Sequence, residues 1–409
     1  MKLNSVYLKF LVVFTLVFAT SFLNAQWIQQ TNMVGPARSG AVSWVLNNKL
    51  YVVGGGPGQS LQEFDPATGG WMVKTALPWG AAYRYLGVGF TISGKGYICT
   101  GTDGAGGYTT DLWMYDPGTN AWAAKSAFPG AGRVLGFGFS IGNKAYVGAG
   151  GDNQVFFRDM YEYSAVTNSW TAMPDFPGGY RAHVLGSAVG NYGYAGAGVE
   201  FLGGNFINHS DLFRYDPAGN SWAPLTSIPG PDRLSGSAFA SSTHLYAGFG
   251  GDNQNPNTSN NFTDLYKYDP LTDVWDTLPQ FPTARAEATG AFLNNKVYVA
   301  TGRNRTTSFG DLWTFDEQTG PVTAIAGTRS ERNTGLFPNP ANRYFEFSFT
   351  DEEVYDLLIS NALGEIVRTL GPVSSHSRVD CSFLANGLYT VRLSTAKTTL
   401  TLKLIVDHQ

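Results

Sequence analysis

The sequence predicts an all-β protein: a six-bladed β-propeller closed by its N-terminal strand, followed by a small C-terminal β-sandwich. Three observations lead to this prediction. One sequence unit recurs six times, the composition suits short strands joined by tight turns, and the residue pattern changes after Gln318. The 409 residues include 50 glycines, with 14% aromatic and only 14% charged residues, a mixture that favours β-structure over helices.

The first half of the unit has constant spacing. An arginine opens each copy, a tyrosine follows thirteen residues later, and a glycine comes four residues after the tyrosine. The arginines are Arg38, Arg84, Arg133, Arg181, Arg233 and Arg285. The tyrosines are Tyr51, Tyr97, Tyr146, Tyr194, Tyr246 and Tyr298. A unit that folds the same way six times buries both of its faces only by stacking on its neighbours, which predicts a radial array.

The second half of the unit ends on a tryptophan that stands seven residues after an aromatic residue. The pairs are Phe64/Trp71, Tyr115/Trp122, Tyr163/Trp170, Tyr215/Trp222 and Tyr268/Trp275. Copy six has Phe315 but Val322 in place of the tryptophan. Trp27 precedes Arg38 by eleven residues, within the ten to thirteen that separate the other tryptophans from the next arginine. The N-terminal strand is therefore expected to complete the sixth blade.

Each unit is predicted to form four strands, a to d, with the arginine before strand a, the tyrosine on strand b and the tryptophan on strand d. Asn-rich and Gly-rich turns such as Asn47-Asn48 support a hairpin between strands a and b. These motifs resemble the kelch repeat over roughly residues 26–318, although Thr100-Gly101, Ala197-Gly198 and Thr301-Gly302 replace a double glycine. The resemblance implies a kelch-type propeller. Some propellers of this type are similar to galactose oxidase.

The segment 334–409 carries three motifs in order: Pro338-Asn-Pro340, Asn361-Ala-Leu-Gly364 and Asn386-Gly-Leu-Tyr389. Alternating short strands predict the small sandwich. The motifs resemble the sorting domain of the type IX secretion system of Bacteroidetes. The resemblance implies that residues 334–409 engage the secretion machinery, and that the protein passes through the periplasm to the cell surface or the medium. Residues 319–333 are small and polar and are interpreted as a linker.

Residues 1–25 are interpreted as a signal peptide, with Lys2 and Lys9 before a short apolar run. No later segment is long and apolar enough to predict a membrane span in the mature chain. The net charge of −4 gives no indication of a nucleic-acid partner. Cys99 and Cys381, the two cysteines, fall in different predicted domains, so no disulfide framework is expected.

The six repeat arginines are expected to encircle one mouth of the central channel, because they precede the innermost strands. The b–c loops open on the same face and differ most between copies: the strand-b glycine and the strand-c aromatic lie 9, 14, 13, 17, 18 and 13 residues apart. One interpretation is a ligand site of guanidinium groups for anionic groups, with loop aromatics stacking on sugar rings. Those aromatics are Tyr108, Phe156, Phe157, Phe201, Phe206 and Phe309.

The alternative interpretation is structural. Five copies have an aspartate at the start of strand c that could pair with the arginines in a girdle from blade to blade. Copy one has Ser60 there, so a neighbour of blade one could keep a free arginine. The aspartates are Asp111, Asp159, Asp211, Asp264 and Asp311.

The leading functional hypothesis is a non-catalytic propeller that binds a glycan or a protein through the arginine-bearing face. A second is a sugar-converting enzyme similar to the sialic-acid mutarotases, for which Glu200 beside Arg181 or Arg233 is the candidate base. A third is a purely architectural surface protein. Copper chemistry of the galactose oxidase kind is not expected, because His183, His209 and His244 form no evident pair, and no other metal or cofactor is predicted.

Overall fold

The computed structural model describes residues 27–56, 60–78, 84–103, 105–253, 259–317, 335–337, 341–348, 355–361, 366–374, 377–394 and 399–408. The chain divides into two compact units, the first ending at Pro321 and the second beginning at Val322. The regular elements of these described residues are all β-strands, and no helix among them could span a bilayer. The predicted signal peptide and the predicted linker lie outside the described residues.

The strands of the first unit are numbered in chain order. They are β1 (Ile28–Gln29), β2 (Ala41–Leu46), β3 (Lys49–Gly54), β4 (Gln62–Asp65), β5 (Gly70–Val73), β6 (Val88–Ile92), β7 (Lys95–Cys99), β8 (Leu112–Asp116), β9 (Ala121–Lys125), β10 (Phe137–Ile141), β11 (Lys144–Gly148), β12 (Met160–Ser164) and β13 (Ser169–Met173). They continue with β14 (Arg181–Ala182), β15 (Leu185–Val189), β16 (Tyr192–Leu202), β17 (Asn205–Asp216), β18 (Ser221–Leu225), β19 (Ser237–Ala240), β20 (Leu245–Gly248), β21 (Leu265–Asp269), β22 (Val274–Thr277), β23 (Thr289–Leu293), β24 (Lys296–Ala300) and β25 (Leu312–Asp316).

These strands form six antiparallel sheets among the described residues, one for each sequence repeat. The innermost strands are β2, β6, β10, β15, β19 and β23, and each contacts the innermost strands of the two neighbouring sheets. The contact between β23 and β2 closes the ring. The predicted propeller is thus the observed fold, and its blades are numbered one to six in the order of the arginines.

Tight turns join strands a and b, as the sequence predicts. Asn47 and Asn48 have φ of 50° and 58°, the left-handed pair of a two-residue type I′ turn. Glycines on strand a allow the blades to approach closely. A Cβ at Gly138 of blade three would lie 2.1 Å from Val88 Cγ1 of blade two, so a larger residue would force these two blades apart.

The N-terminal strand completes blade six. β1 pairs with β25 in antiparallel register, Ile28 opposite Thr314, and the rings of Trp27 and Phe315 lie 5.5 Å apart. The indole of Trp27 donates to the carbonyl of Pro279 in blade five at 2.9 Å. Trp71, Trp122, Trp170 and Trp275 make the same bond to the preceding blade. Trp27 therefore occupies the tryptophan position that copy six lacks, which confirms the predicted closure.

The second unit contains two sheets around one core. Its strands are β26 (Gly335–Phe337), β27 (Tyr344–Ser348), β28 (Tyr355–Ser360), β29 (Ile366–Val373), β30 (Arg378–Asp380), β31 (Gly387–Ser394) and β32 (Thr399–Val406). One sheet has the order β26-β27-β30 and the other β29-β28-β31-β32. Phe345 and Val379 of the first sheet share a buried cluster with Leu357, Val391 and Leu404 of the second. The alternation of buried and exposed residues along β28 explains how the sequence pattern produces this core.

Candidate functional site

The six repeat arginines are buried, with at most 4% of each residue exposed. In every copy Nη1 donates to the carbonyl sixteen residues later, at the end of strand b. Five arginines also pair with the strand-c aspartate of their own blade, for example Arg233 with Asp264 at 2.7 and 2.8 Å. The remaining pairs are Arg84–Asp111, Arg133–Asp159, Arg181–Asp211 and Arg285–Asp311.

The backbone explains why each copy has an arginine at this position. The residue that accepts the arginine's hydrogen bond and the glycine after it both have positive φ, 59° at Thr100 and 98° at Gly101 in blade two. This bend turns a buried carbonyl away from the sheet, and the guanidinium supplies the donor that it needs. The glycine N–H donates to the arginine carbonyl of the next blade at 2.7 to 3.0 Å in all six copies.

The predicted girdle therefore exists in a different form. Arginine side chains join strands within one blade, and the arginine main chain joins neighbouring blades. The aspartate pairs do not run from blade to blade as the sequence suggested. None of the six arginines lines the described part of the channel or its mouth. Their burial favours the structural interpretation, and the proposal that they bind a ligand directly stays a prediction.

Arg38 differs from the other five. Its fork contacts Ser60 through the carbonyl at 3.3 Å and Oγ at 3.2 Å, and it has no ion pair with a carboxylate among the described residues. Burial without a counter-charge lowers the pKa of Arg38. The sequence suggested that a neighbour of blade one would keep a free arginine; because the pairs form within a blade, the arginine that faces Ser60 is blade one's own Arg38.

Two loop aromatics pack against the guanidinium groups of the repeat arginines. Phe157 lies under the guanidinium of Arg133 with 4.2 Å to its ring centroid, and Phe309 lies under that of Arg285 with 4.3 Å. Phe201 and Phe206 instead form an exposed pair, with centroids 4.9 Å apart, near the tip of the β16–β17 hairpin. Among the aromatics predicted to stack on sugars, Phe157 and Phe309 are thus partly buried supports of the arginines, whereas Phe201 and Phe206 are exposed.

Glu200 lies on this hairpin. Its carboxylate is 3.4 Å from Nε2 of His209 on the partner strand, and it lines none of the cavities around the axis. Because a base for channel chemistry must reach the channel, this position does not support the catalytic role suggested for Glu200. His183 and His244 are at other sites, and no group of three or more metal-ligating residues occurs in the described part of the chain.

The channel mouth on the arginine-bearing face is a ring of one residue per blade, each two positions after the repeat arginine. All six have φ between 55° and 62°. They are Gly40, Leu86, Leu135, His183, Ser235 and Glu287. They line a cavity of about 120 Å³, which shares lining residues with a channel cavity of about 400 Å³. Main-chain hydrogen bonds of 2.8 to 3.3 Å join the blade pairs 1–6, 2–1, 3–2, 4–3 and 6–5 at this level.

One half of the ring carries a polar cluster in which Glu287 is buried and Arg303 and Tyr85 are partly buried. Glu287 accepts from Arg303 Nε at 2.9 Å, from Arg303 Nη2 at 2.6 Å and from the Tyr85 hydroxyl at 2.6 Å. Burial alone would lower the pKa of Arg303, but the hydrogen bonds and charge of Glu287 raise it above its ordinary value. Burial and the Glu287 carboxylate also raise the pKa of Tyr85, so the phenol keeps its proton and donates.

His183 and Ser235 complete the polar half. Ser235 Oγ lies 2.5 Å from His183 Nδ1, which joins blades four and five by side chains where the other blade pairs use main-chain bonds. Burial lowers the pKa of His183 to about 4, so the ring is neutral at physiological pH. A small cavity of about 30 Å³ beside it is lined by His183, Ser235, Arg303, Asn304 and neighbouring loop residues.

The constant residues of the repeat do not predict this polar cluster, although an alignment of the six copies contains its signal. The position two after the arginine is glycine or leucine in copies one to three and polar in copies four to six. The position after the strand-b glycine is Arg303 in copy six, where three other copies have glycine. Departures from the repeat, rather than its constant residues, mark this site.

Comparisons with known proteins bear on both units. Residues 335–407 match the family model described as secretion system C-terminal sorting domain. Kelch-like protein 15 of Homo sapiens is 28% identical over 113 residues, which are 28% of this chain and 18% of that protein. The chain thus matches less than a fifth of that relative's length. The solved structure of YjhT aligns with a TM-score of 0.60 at 18% identity, covering 71% of this chain and 98% of that chain, a likeness in fold.

The first unit is a propeller similar to those of kelch-type proteins, and residues 335–407 match a C-terminal sorting domain. The sorting domain indicates export by type IX secretion to the cell surface or the extracellular space, and implies an interaction with that secretion machinery. The kelch resemblance and the sorting-domain resemblance predicted from the sequence are both confirmed.

Proposed function

We propose that this exported propeller is a non-catalytic binding protein that holds a glycan or a protein ligand through its arginine-bearing face, at the channel mouth. The observation that carries the proposal is the partly buried cluster of Tyr85, Glu287, Arg303, His183 and Ser235. A purely structural ring would repeat the same residues in each blade. His183, Ser235 and Glu287 instead stand where blades one to three have glycine and leucines, and they line a recessed cavity.

The loops around the mouth also favour this face as the binding surface. The b–c segments that surround it are the variable part of the repeat, whereas the a–b turns of the opposite face have two residues in five blades and four in blade five. Loops of blades four and five are tied by a hydrogen bond from Asn208 Nδ2 to the Asp252 carbonyl at 2.7 Å. A rigid frame with variable loops on one face is the usual arrangement of a binding surface.

The buried arginines have a supporting role in this proposal. Each holds the base of a b–c loop through a strand-b carbonyl and, in five blades, a strand-c aspartate. Replacement of Arg181 and Arg233 by lysine keeps their charge but removes the fork geometry. If these arginines contact the ligand directly, such variants lose binding while their unfolding transition is unchanged. If they are supports, stability falls together with binding.

The test of the proposed function is a binding screen of the full-length chain against a glycan array and against proteins of the same cell surface. The expected result is a ligand whose affinity falls at least about tenfold for Arg303→Gln and is unchanged for Arg158→Gln. Arg158 is the matched control because it is half exposed, pairs with Asp175 and does not line the mouth cavity. Failure to bind anything under conditions where the chain is folded would leave the architectural alternative.

A further inference from the structure

We infer that the ligand of the channel mouth is an uncharged sugar ring, recognised by an amphipathic cavity and not by the positive charge of the arginines. This inference rests on the proposed function and names its ligand class. It departs from the expectation, drawn from six arginines in the sequence, that the face attracts anionic groups.

The charges near the mouth are paired internally. Five repeat arginines are neutralised by aspartates of their own blade, and Arg303 is neutralised by Glu287 through two hydrogen bonds. His183 carries no charge at neutral pH. Arg38, which lacks an acidic partner among the described residues, is 3% exposed and does not line the mouth. A carboxylate or sulfate that entered would lose its hydration without meeting an unpaired cation among the described residues of the mouth.

The two halves of the mouth have different chemistry. Blades one to three contribute Gly40, Leu86 and Leu135, which form an apolar wall. Blades four to six contribute His183, Ser235 and Glu287, which together offer nitrogen and oxygen atoms to a ligand. A pyranose ring has an apolar face of C–H groups and a rim of hydroxyls, each of which both donates and accepts. Such a ring matches this cavity, in which an apolar wall faces a small number of placed polar groups.

The recess favours a sugar over a protein surface. A cavity of about 120 Å³ corresponds to roughly four water molecules, and the channel behind it adds about 400 Å³. The mouth can therefore receive part of a narrow ligand end-on. A flat protein interface would instead need an exposed patch of several hundred Å² or more on one side.

The experiment compares matched sugars on the full-length chain. Neutral hexosyl oligosaccharides and the corresponding hexuronosyl oligosaccharides of equal length are measured on a glycan array and then by calorimetry. The expected result is at least about tenfold tighter binding of the neutral member. Its affinity should change less than about twofold between low and high salt, because no ion pair forms that salt could screen.

Variants locate the sugar. His183→Gln should weaken the neutral sugar by about tenfold, whereas His244→Gln, in an a–b turn on the opposite face, should have no effect. If His183→Gln does not fold, Ser235→Ala makes the same test. Tighter binding of the hexuronosyl member would overturn the neutral assignment and leave the proposed function standing. Binding of a protein and of no sugar would also overturn it, whereas binding of neither would contradict the proposed function itself.

Discussion

Arg133 shows how one charged side chain can be fully buried and still stabilise the fold. Its guanidinium lies between the rings of Phe128 and Phe157, at 4.7 and 4.2 Å from their centroids. It donates to both oxygens of Asp159 and, at 3.0 Å, to the carbonyl of Ala149. The charge and the donors are therefore satisfied inside the blade, as a buried ion requires.

The first prediction concerns this residue. Arg133→Ala should reduce the free energy of unfolding by about 3–5 kcal/mol, because it leaves a carboxylate and a carbonyl without their donor. Arg158→Ala, next to the same blade's strand c, removes an ion pair in which both side chains are about half exposed, and should change stability by less than about 1 kcal/mol. The measurement is urea denaturation followed by indole fluorescence. Equal losses for the two variants would refute the supporting role of the repeat arginines.

The second prediction concerns His183 and pH. The folded state lowers its pKa from 6.5 to about 4, so between these values the unfolded chain binds the proton more readily. Stability is therefore full above pH 6.5 and falls as the pH drops toward 4, by at most about 3 kcal/mol. Glu287 and Arg303 are the charged groups that act on this ring, and they remain in the variant.

His183→Gln provides the comparison, because glutamine does not titrate. The stability difference between the native chain and this variant should shift in favour of the variant as the pH is lowered from 7 to about 4. Denaturation at several pH values measures it. A difference that is independent of pH would mean that the imidazole of His183 is not desolvated in the folded chain.

At this scale the sequence predicted the arginines and their aspartate partners because both recur at fixed spacing. It did not predict the contact of Tyr85 with Glu287, which are 202 residues apart. The contact depends on Gly40, which leaves blade one without a side chain between them. Repeat spacing predicts what the blades share, whereas contacts across the axis depend on the few positions where the blades differ.

At the scale of elements, the largest difference from expectation is the hairpin of β16 and β17. The sequence suggested a long b–c loop in blade four, but both strands continue beyond the sheet and Phe201 pairs with Phe206. Gly203 and Gly204 have φ of 60° and 83°, which allows a two-residue turn. The distance from the strand-b glycine gives the length of this segment but not its conformation. Its aromatic and β-branched residues favour strands.

The third prediction concerns the ring element at the mouth. A Cβ at Gly40 would lie 2.7 Å from Tyr85 Cε2 and from Leu86 Cδ2, at a φ of 62°. Gly40→Ala should therefore displace Tyr85 from Glu287 and weaken ligand binding, beyond the backbone strain of about 1–2 kcal/mol. Gly142→Ala is the control, because Gly142 has a φ of 58° with no atom near its Cβ.

Both variants should show the same strain, and Gly40→Ala should show a further loss of stability. The measurement pairs urea denaturation with the binding assay for the glycan found in the screen. If Gly40→Ala resembles Gly142→Ala in both, Tyr85 tolerates the methyl group and its bond to Glu287 does not organise the mouth.

At the scale of the whole molecule, the sequence predicted the six-fold array and its closure, because contacts between blades require the same residues at constant spacing. Each tryptophan indole that bonds to the preceding blade donates to the carbonyl four residues after that blade's own tryptophan. Trp222 departs from this rule, since its indole N–H has no hydrogen-bond partner among the residues that the structure describes. The second unit has its own buried core and no tryptophan, so indole fluorescence reports on the propeller alone.

The last prediction tests the closure. Trp27 is 4% exposed and packs on Phe281 and Phe315, so Trp27→Ala should remove about 3–5 kcal/mol from the stability of the propeller. Because β1 joins the two ends of the ring, this loss should also speed unfolding. Ile28→Ala alters an adjacent residue that is 58% exposed and should change stability by no more than about 0.5 kcal/mol. If the two variants are equally stable, the N-terminal strand is an accessory to blade six and the ring is held without it.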